Sequence, residues 1–305
     1  MNSWRVILFY KYINIENPKV LRQDQLRLCQ RQNLKGRIIV ASEGINATLE
    51  GTEGNIQNYI EELLTDTRFK DTHIKMSDGD GQAFSKLSIK VRPEIVASGL
   101  DLNPNQVSGK YITAEELHQW ILDKKEFFIV DMRNDYEQNV GYFENSILSN
   151  IDNFKELPTL LPKLEYLKGK TIVTVCTGGV RCEKASGFLI SNGFKDVYQL
   201  YGGIVTYMEK YPNEHFKGAL YVFDGRIVMG FNMRDLRREI VGRCVKCKNP
   251  SENYINCWDG FCNRHFICCK ECLGNKEKIL CPMGCRSACR QAGITTKNTQ
   301  KLLFS

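Results

Sequence analysis

The sequence lacks several features that would assign a class of protein at once. No apolar run approaches the roughly 20 residues that cross a bilayer, and the N-terminus lacks the charged-then-apolar order of a signal peptide. No Gly-x-Gly-x-x-Gly segment follows a predicted strand. The histidines, which show no spacing of the two-His, one-carboxylate iron site, are His73, His118, His215 and His265. We expect a cytoplasmic protein with no membrane partner and no evident oxygen-activating cofactor.

Cysteine and positive charge are abundant and unevenly placed. The 305 residues include 13 cysteines, which in a chain without a secretory signal are better explained as metal ligands or reactive thiols than as disulfides. From Arg234 to Ser305 fourteen Lys and Arg stand against six Asp and Glu, a net of +8, whereas the whole chain carries +7. This basic end predicts a polyanion partner such as nucleic acid, with a solubilising surface as the alternative.

The N-terminal part alternates strands and helices in a recognisable order. Strands are predicted at residues 5–10, 37–41, 47–50 and 88–91, and helices at 18–32 and from 53 to about 64, the second capped by the Thr52 hydroxyl. The order βαββαβ predicts a ferredoxin-like sandwich, also described as acylphosphatase-like, over residues 1–98. A linker rich in Asn, Gly and Pro follows at 99–112.

A second domain is predicted over residues 113–215. Thr113 and Glu116 form a capping box, and short apolar strands at 127–130, 173–175 and 197–200 alternate with helical stretches, which indicates a parallel α/β sheet. Reactive groups of such sheets gather at the carboxyl ends of the strands, where Asp131 and Cys176 both fall. Residues 216–305 remain as a basic, cysteine-rich C-terminal region.

The segment from Cys176 to Cys182 follows one of these strands and is typical of a loop that holds a reactive thiolate. Its anion-binding amides belong to Thr177, Gly178, Gly179 and Val180. Arg181 adds positive charge, and a helix predicted from Glu183 adds its N-terminal dipole. These effects lower a cysteine pKa, so Cys176 is the candidate nucleophile. A buried structural cysteine beside a turn is the alternative.

Three neighbouring residues have two interpretations each. Cys182 either resolves an oxidised or persulfidated Cys176 or packs in the first helical turn. Asp131 and Arg133 either position the loop or, as we favour, form a structural ion pair. The gap between Cys176 and Arg181 is one residue shorter than in the phosphatase signature loop. Such a loop suits a persulfide sulfur or a small anion better than a phosphate.

The C-terminal cysteines are spaced in close pairs. Cys244, Cys247, Cys269 and Cys272 are the best candidates for zinc ligands, with Cys257 and Cys262 next; reduced structural or disulfide-linked thiols are the alternatives. Cations there stand near apolar and aromatic residues, a pattern that suits unpaired RNA bases and phosphates. These residues are Arg264, Phe266, Lys270, Arg286, Arg290 and Lys297. The N-terminal sheet, with Tyr10, Lys11 and Tyr12, is either a second RNA surface or a packing surface.

Several of these motifs resemble a known family. The segments similar to a rhodanese domain are 131–137, 141–146, 176–182 and 193–203. The segments 9–12 and 43–47, the run Cys-Thr-Gly-Gly-Val-Arg-Cys-Glu-Lys-Ala-Ser and the cysteine-rich end resemble the oxygen-dependent tRNA uridine hydroxylases. The resemblance extends over nearly the whole chain.

The resemblance implies 5-hydroxylation of the wobble uridine of tRNA, with Cys176 as the active-site residue and molecular oxygen as co-substrate. The electron donor, the oligomeric state and the set of tRNAs are not implied. Either Cys176 adds to uracil C6 and makes C5 electron-rich, or it carries a sulfane sulfur or peroxidic species that reacts at C5. Arg181 and the loop amides would stabilise the developing oxyanion. Competing functions are a sulfurtransferase using a Cys176 persulfide and a zinc-dependent RNA-binding scaffold.

Overall fold

The computed structural model describes residues 3–281 except 234, 236–237, 260–261, 263 and 275–278. Within these residues no helix is both long enough and apolar enough to cross a membrane. The expectations for Arg286, Arg290 and Lys297 lie outside the described residues.

The N-terminal part forms a five-stranded sheet with two helices on one face. Its elements are β1 (Trp4–Tyr12), α1 (Pro18–Arg31), β2 (Lys35–Ala41), β3 (Gly44–Thr52), α2 (Glu53–Thr65), β4 (Lys75–Gly79) and β5 (Leu87–Val91). The strand order is β4-β1-β3-β2-β5. Ile7, Phe9 and Ile38 are fully buried beneath the helices. The predicted ferredoxin-like sandwich is confirmed, with one strand added at the β2 edge.

Two details of this part differ from the prediction. The fourth strand of the βαββαβ motif is β4, paired antiparallel with β1, whereas the predicted strand at 88–91 is the added β5, parallel to β2. The polar edge strand β4 (Lys-Met-Ser-Asp-Gly) carries no apolar alternation, so the pattern missed it. Thr52 is the N-cap of α2, but its hydroxyl makes no capping hydrogen bond.

The face of the N-terminal sheet away from its helices is only partly covered by the rest of the chain. Side chains alternate between the two faces of a strand, so the cross-strand row Leu8–Thr48–Arg37 lies on the opposite face from Ile7 and Phe9. The next row is Tyr10–Asn46–Ile39. We call these six residues the open face.

The central part is a parallel sheet of order β6-β11-β10-β7-β9. Its elements are β6 (Lys110–Ile112), α3 (Ala114–Leu122), β7 (Phe128–Asp131), α4 (Asp135–Gln138), β8 (Gly141–Phe143), β9 (Ile147–Leu148), 3-10 helices at Phe154–Leu160 and Glu165–Leu167, α5 (Leu161–Leu164), β10 (Thr171–Val175), α6 (Val180–Ser191), β11 (Asp196–Leu200) and α7 (Gly203–Lys210). Val173 and Val175 pack into one hydrophobic cluster and Ile172 into another. The sheet is therefore buried on both faces, as predicted for a parallel α/β sheet.

Two local predictions have different outcomes in this part. The capping box of Thr113 and Glu116 is present at the start of α3. Residues Lys110–Ile112, predicted as linker, instead pair with β11 as an edge strand. A three-residue strand is too short to show a sequence period.

The C-terminal region consists of short pieces that pack against both other parts. They are β12 (Phe216–Gly218), β13 (Leu220–Tyr221), β14 (Val228–Met229), β15 (Tyr254–Asn256), β16 (His265–Ile267) and α8 (Lys270–Leu273). Strand β12 pairs with β8 of the central part. The turn between β13 and β14 reaches the N-terminal sheet, where Arg226 donates to the Asp78 carbonyl at 2.9 Å. This turn carries Phe223 to the edge of the site described next.

Candidate active site

The loop after β10 curls into the first turn of α6. Cys176 follows Val175, which pairs with Asp131 in the neighbouring strand, so both residues lie at the carboxyl edge of the sheet as predicted. Helix α6 begins at Val180, three residues earlier than predicted, and its N-cap Gly179 has φ +100°. A side chain at Gly179 would also meet the Tyr10 hydroxyl at 2.8 Å. The positive φ favours glycine at this position, and any larger residue would displace the Tyr10 ring.

The Cys176 sulfur is surrounded by hydrogen-bond donors. The Gly179 N–H donates to its Sγ at 3.2 Å. Burial raises the pKa of the thiol, but a hydrogen bond from Cys182, the charge of Arg181 and backbone N–H groups outweigh burial and lower the pKa of Cys176 to about 6. Burial and the neighbouring Cys176 raise the pKa of Cys182 well above its usual value. The first thiol is therefore the thiolate near neutral pH, and the second is its donor.

Arg181 has a partner that the sequence did not predict. Its guanidinium contacts both carboxylate oxygens of Glu137, at 2.5 and 2.7 Å, and the Thr177 hydroxyl donates to the same carboxylate at 3.2 Å. Burial raises the pKa of Glu137, but the charge of Arg181 outweighs it and lowers that pKa. Glu137 stands 44 residues before Arg181, and nothing local in the sequence links the two.

The Asp131–Arg133 pair lies within the protein interior. Both side chains are 0 % exposed and contact at 2.6 Å, and Arg133 also donates to the Gly141 carbonyl at 2.7 Å. These contacts connect β7 to the following chain segment. The geometry favours the structural interpretation of this pair.

The N-terminal part contacts the loop directly. The Tyr12 hydroxyl donates to the Val180 carbonyl at 3.2 Å, and the Tyr10 hydroxyl donates to Glu183 at 3.0 Å. From β4, the buried Lys75 donates to the Gly178 carbonyl at 3.0 Å. Tyr10 and Tyr12 thus pack on the loop, while Lys11 forms an ion pair with Asp71 at 2.7 Å. Lys75 was missed because it lies in the strand that the pattern did not detect.

A buried ion pair network explains two motifs far apart in the sequence. Lys184 in α6 is 1 % exposed and contacts Glu43 at 2.9 Å and Glu94 at 2.7 Å. Glu43 also accepts from the Ile95 N–H at 2.7 Å. The segments 43–47 and 183–186 thus meet where the N-terminal part docks on α6.

A cleft of about 570 Å³ lies between the open face and the loop. One wall carries all six open-face residues, and the other includes Cys176, Thr177, Gly178, Val180 and Arg181. The volume falls within the range of small-molecule sites. Cys176 is 0 % exposed to solvent, so the sulfur lies just below the cleft surface, and side chains covering it must move before a base can touch it.

Cations and one exposed aromatic ring line the same cleft. Arg37, Arg92 and Lys155 are lining residues, as is Phe223, which is 47 % exposed. The Phe223 ring lies 5.7 Å from the Arg181 guanidinium carbon. Single-stranded nucleic acids are bound by such combinations of positive charge and stacking surfaces.

Seven of the described C-terminal cysteines fall into two groups. The sulfurs of Cys244, Cys247, Cys269 and Cys272 all lie within 4.8 Å of one another, and those of Cys257, Cys262 and Cys281 form a second such group. Thiolates at this spacing could hold a metal such as zinc. The four residues predicted as ligands are thus brought together. Cys281 joins the second group although its spacing fits no CxxC pair.

The described residues predicted to contact RNA in the C-terminal region have different surroundings. Arg264 contacts Asp152 at 2.5 Å and Asp135 at 4.0 Å, and Phe266 is 6 % exposed. Lys270 is exposed. Phe266 is therefore buried in the local core, whereas the partly exposed Arg264 and the exposed Lys270 stay predicted RNA contacts.

Comparison with known proteins assigns the parts of this architecture. Residues 4–95 match the UPF0176 acylphosphatase like domain, 113–210 the rhodanese-like domain and 217–290 the rhodanase C-terminal domain. The chain is thus a rhodanese-domain protein in which Cys176 occupies the loop after the central strand.

Relatives over nearly the full length define the family. Proteins named tRNA uridine(34) hydroxylase are 41 % identical over 294 residues in Bacillus licheniformis (95 % of this chain, 89 % of the relative). They are 38 % identical over 287 residues in Cytophaga hutchinsonii (94 % and 91 %) and 40 % identical over 292 residues in Staphylococcus carnosus (90 % and 91 %). The chain belongs to the tRNA uridine(34) hydroxylase family.

Proposed function

We propose that this protein hydroxylates C5 of uridine 34 in tRNA and that Cys176 is its nucleophile. The observation that carries the proposal is a low-pKa thiol beneath a cleft with basic and aromatic lining, in a chain of this family. Tetrahedral thiolate clusters and buried ion pairs occur in many folds, but a thiolate beside a cleft has a chemical use.

The chemistry begins with the Cys176 thiolate adding to C6 of the uracil ring. The new C–S bond places an electron pair on the O4–C4–C5 enolate, and C5 then attacks an oxygen electrophile. Loss of the C5 proton expels the thiolate and restores the ring. Arg181 and the loop amides, which stabilise the Cys176 thiolate, would also stabilise the enolate charge that develops beside it.

The oxygen balance defines what else the reaction needs. Replacing the C5 hydrogen by hydroxyl with molecular oxygen consumes two electrons and two protons and releases one water. Oxygen is therefore a co-substrate and a two-electron donor is a required partner. The second oxidisable thiol, Cys182, lies next to Cys176 and would condense with a sulfenic acid on Cys176, releasing water and forming a disulfide. The two-electron donor would then reduce that disulfide back to two thiols.

The tRNA would enter with its anticodon loop, whose bases are unpaired. Arg37, Arg92 and Lys155 would contact phosphates, and Phe223 would stack on a base. The open face would then support the nucleotide from below. The substrate site is thus shared between the N-terminal and central parts.

Zinc would occupy the group of Cys244, Cys247, Cys269 and Cys272 as a structural ion. Four thiolates close the coordination shell, which is typical of structural rather than catalytic zinc. Short strands and a one-turn helix bury few apolar side chains, so a metal supplies folding free energy that this region otherwise lacks. Cys257, Cys262 and Cys281 would contribute ligands to a second ion.

The remaining assignments concern place and organisation. We assign the protein to the cytoplasm, where its tRNA substrate is found. We divide the chain into domains at 1–98, 110–215 and 216–305, with a linker at 99–109, because β6 begins at Lys110 and pairs with β11 of the central sheet.

The test is nucleoside mass spectrometry of tRNA from cells that lack the gene, complemented with wild type, Cys176→Ser or Cys182→Ser. Loss of 5-hydroxyuridine in the deletion, restored by wild type and not by Cys176→Ser, supports the proposal. The Cys182→Ser variant keeps a hydroxyl donor beside Cys176 but removes the resolving thiol, so it is expected to restore only part of the product. Loss of thiolated nucleosides instead would indicate a sulfurtransferase, and unchanged nucleosides a scaffold.

A further inference from the structure

One peptide unit of the loop lies between a lysine and the reactive sulfur. The Gly178 carbonyl accepts from Lys75 Nζ at 3.0 Å, and the Gly179 N–H donates to Cys176 Sγ at 3.2 Å. The carbonyl and the N–H belong to the same planar group and point in opposite directions across a trans peptide. A donor that fixes the carbonyl therefore also aims the N–H at the sulfur.

Lys75 comes from another part of the chain than the loop. It sits in β4 beside Leu8 of β1 and stands 103 residues before Gly178. The residue is 6 % exposed, and its ammonium lies 5.0 Å from the centre of the Tyr10 ring. Burying an ammonium is costly unless it has favourable partners, so this position is suited to an electrostatic role better than to simple packing.

We propose that Lys75 is a positioning residue, which orients and polarises the Gly178–Gly179 peptide so that its N–H stabilises the Cys176 thiolate. The N-terminal domain thereby completes the reactive loop of the central domain. This inference rests on the proposed role of Cys176, but it concerns the state of the thiol and requires neither RNA nor oxygen.

The other titratable groups near Cys176 and near Lys75 do not take the place of Lys75. Arg181 is held by Glu137, and burial followed by the charge of Lys75 lowers the pKa of His73 to about 4, which leaves that imidazole neutral. Burial lowers the pKa of Lys75 to about 8, opposed by the charges of Cys176 and Glu183. The titratable groups facing Cys176 are Arg181, Cys182, Tyr10, Tyr12 and Lys75, and those facing Lys75 are Cys176, Glu183, His73 and Tyr10. Among the residues that the structure describes, Lys75 is thus a cation next to the loop that has no carboxylate partner as close as the one Arg181 has.

The experiment measures the pH dependence of iodoacetamide labelling of Cys176 in the full-length chain, read from the Cys176 peptide by mass spectrometry. Lys75→Met removes the donor and the charge, so the labelling midpoint should rise by about one pH unit and labelling near pH 6 should fall roughly 5- to 10-fold. Lys75→Arg should keep the wild-type midpoint. Lys35→Met is the matched control, because Lys35 also donates to a carbonyl, that of Gly81 at 3.3 Å, but not to the loop.

Two outcomes overturn the inference. A folded Lys75→Met protein with the wild-type midpoint would show that the lysine does not act on the thiol. If that variant does not fold, Lys75→Gln keeps an uncharged N–H donor, and an unchanged midpoint in Lys75→Gln would equally contradict the role of the charge. An intermediate midpoint in Lys75→Gln supports it. Labelling needs no tRNA, so the effect of Lys75 on the Cys176 thiol can be measured even if the protein proves not to be a hydroxylase.

Discussion

Two regions of this molecule contain neighbouring cysteines, and the surroundings of the sulfurs differ between them. At the loop after β10 one sulfur, that of Cys176, receives hydrogen bonds from Cys182 and from backbone N–H groups beside a cleft. In the C-terminal region four sulfurs, including those of Cys244 and Cys269, lie within 4.8 Å of one another. The first arrangement keeps a single thiolate available for a substrate, and the second would saturate each thiolate with metal.

The contrast shows that donors and neighbours, rather than the number of cysteines, decide the chemistry. Cys176 is next to a fixed cation and aimed amides, which stabilise an anion that has no metal. Cys247 and Cys269 are 3.5 Å apart at their sulfurs, a distance at which two thiolates repel unless a cation lies between them. The two regions should therefore respond to different perturbations.

The largest effects are expected from variants that each lack one cysteine, either in the loop or in the C-terminal region. Cys176→Ser should reduce hydroxylation by roughly 1000-fold or more while the bound metal stays unchanged, because the nucleophile takes no part in the clusters. Elemental analysis of the purified variant measures the bound metal, and nucleoside analysis of tRNA treated with the same preparation measures hydroxylation. Loss of metal from Cys176→Ser would show that the two regions are not independent.

Cys269→Ser should have the reverse effect. The protein should lose about one metal ion per chain, and the C-terminal region should become sensitive to protease, because a structural zinc site supplies about 10 kcal/mol or more of folding free energy in small domains. Cys176 labelling should change little. Cys29→Ser, at a buried cysteine of the N-terminal core, is the control for losing a thiol elsewhere, and equal metal content in Cys269→Ser and wild type would contradict the assignment.

Arg181→Met should destabilise the fold as well as the thiolate. It leaves Glu137, 0 % exposed, without its counter-ion, and breaking a buried pair in this way costs about 3–5 kcal/mol. Chemical denaturation measures the effect. The double variant Glu137→Gln/Arg181→Met should recover much of the lost stability but not the reactivity of Cys176; if the single variant is as stable as wild type, the buried pair is not formed.

The sequence predicted some of this site and missed the rest for physical reasons. The capping box at Thr113 and the Cys176 loop are local patterns, each complete within a few residues, and both are present. Glu137 and Lys75 act through contacts made only when distant segments meet, so no spacing in the chain encodes them. The polar edge strand β4 could have been found only from the strand count, because a ferredoxin-like motif requires a fourth strand beside β1.

The smallest expected effect belongs to the edge of the cleft. Phe223→Ala should weaken binding of an anticodon stem-loop RNA by about 1–3 kcal/mol, the usual contribution of one stacked base, with little change in stability because the ring is 47 % exposed. Tyr166→Ala is the matched control, since Tyr166 is 66 % exposed and does not line the cleft. Titration with labelled RNA measures the two affinities. Equal affinities of Phe223→Ala and Tyr166→Ala would show that Phe223 does not contribute to RNA binding.

The central claim is that the Cys176 sulfur bonds to the uracil ring, and an anticodon stem-loop carrying 5-fluorouridine at position 34 tests it most directly. Once C5 has bonded to oxygen, a fluorine there cannot leave as a proton does, so the thiolate cannot be expelled from C6 and the adduct should persist. We expect a protein–RNA adduct that survives denaturation, maps to Cys176 by mass spectrometry, forms in Cys182→Ser and is absent in Cys176→Ser. A protein that hydroxylates the unmodified stem-loop yet forms no adduct with the fluorinated one, or forms it through another residue, would contradict the account.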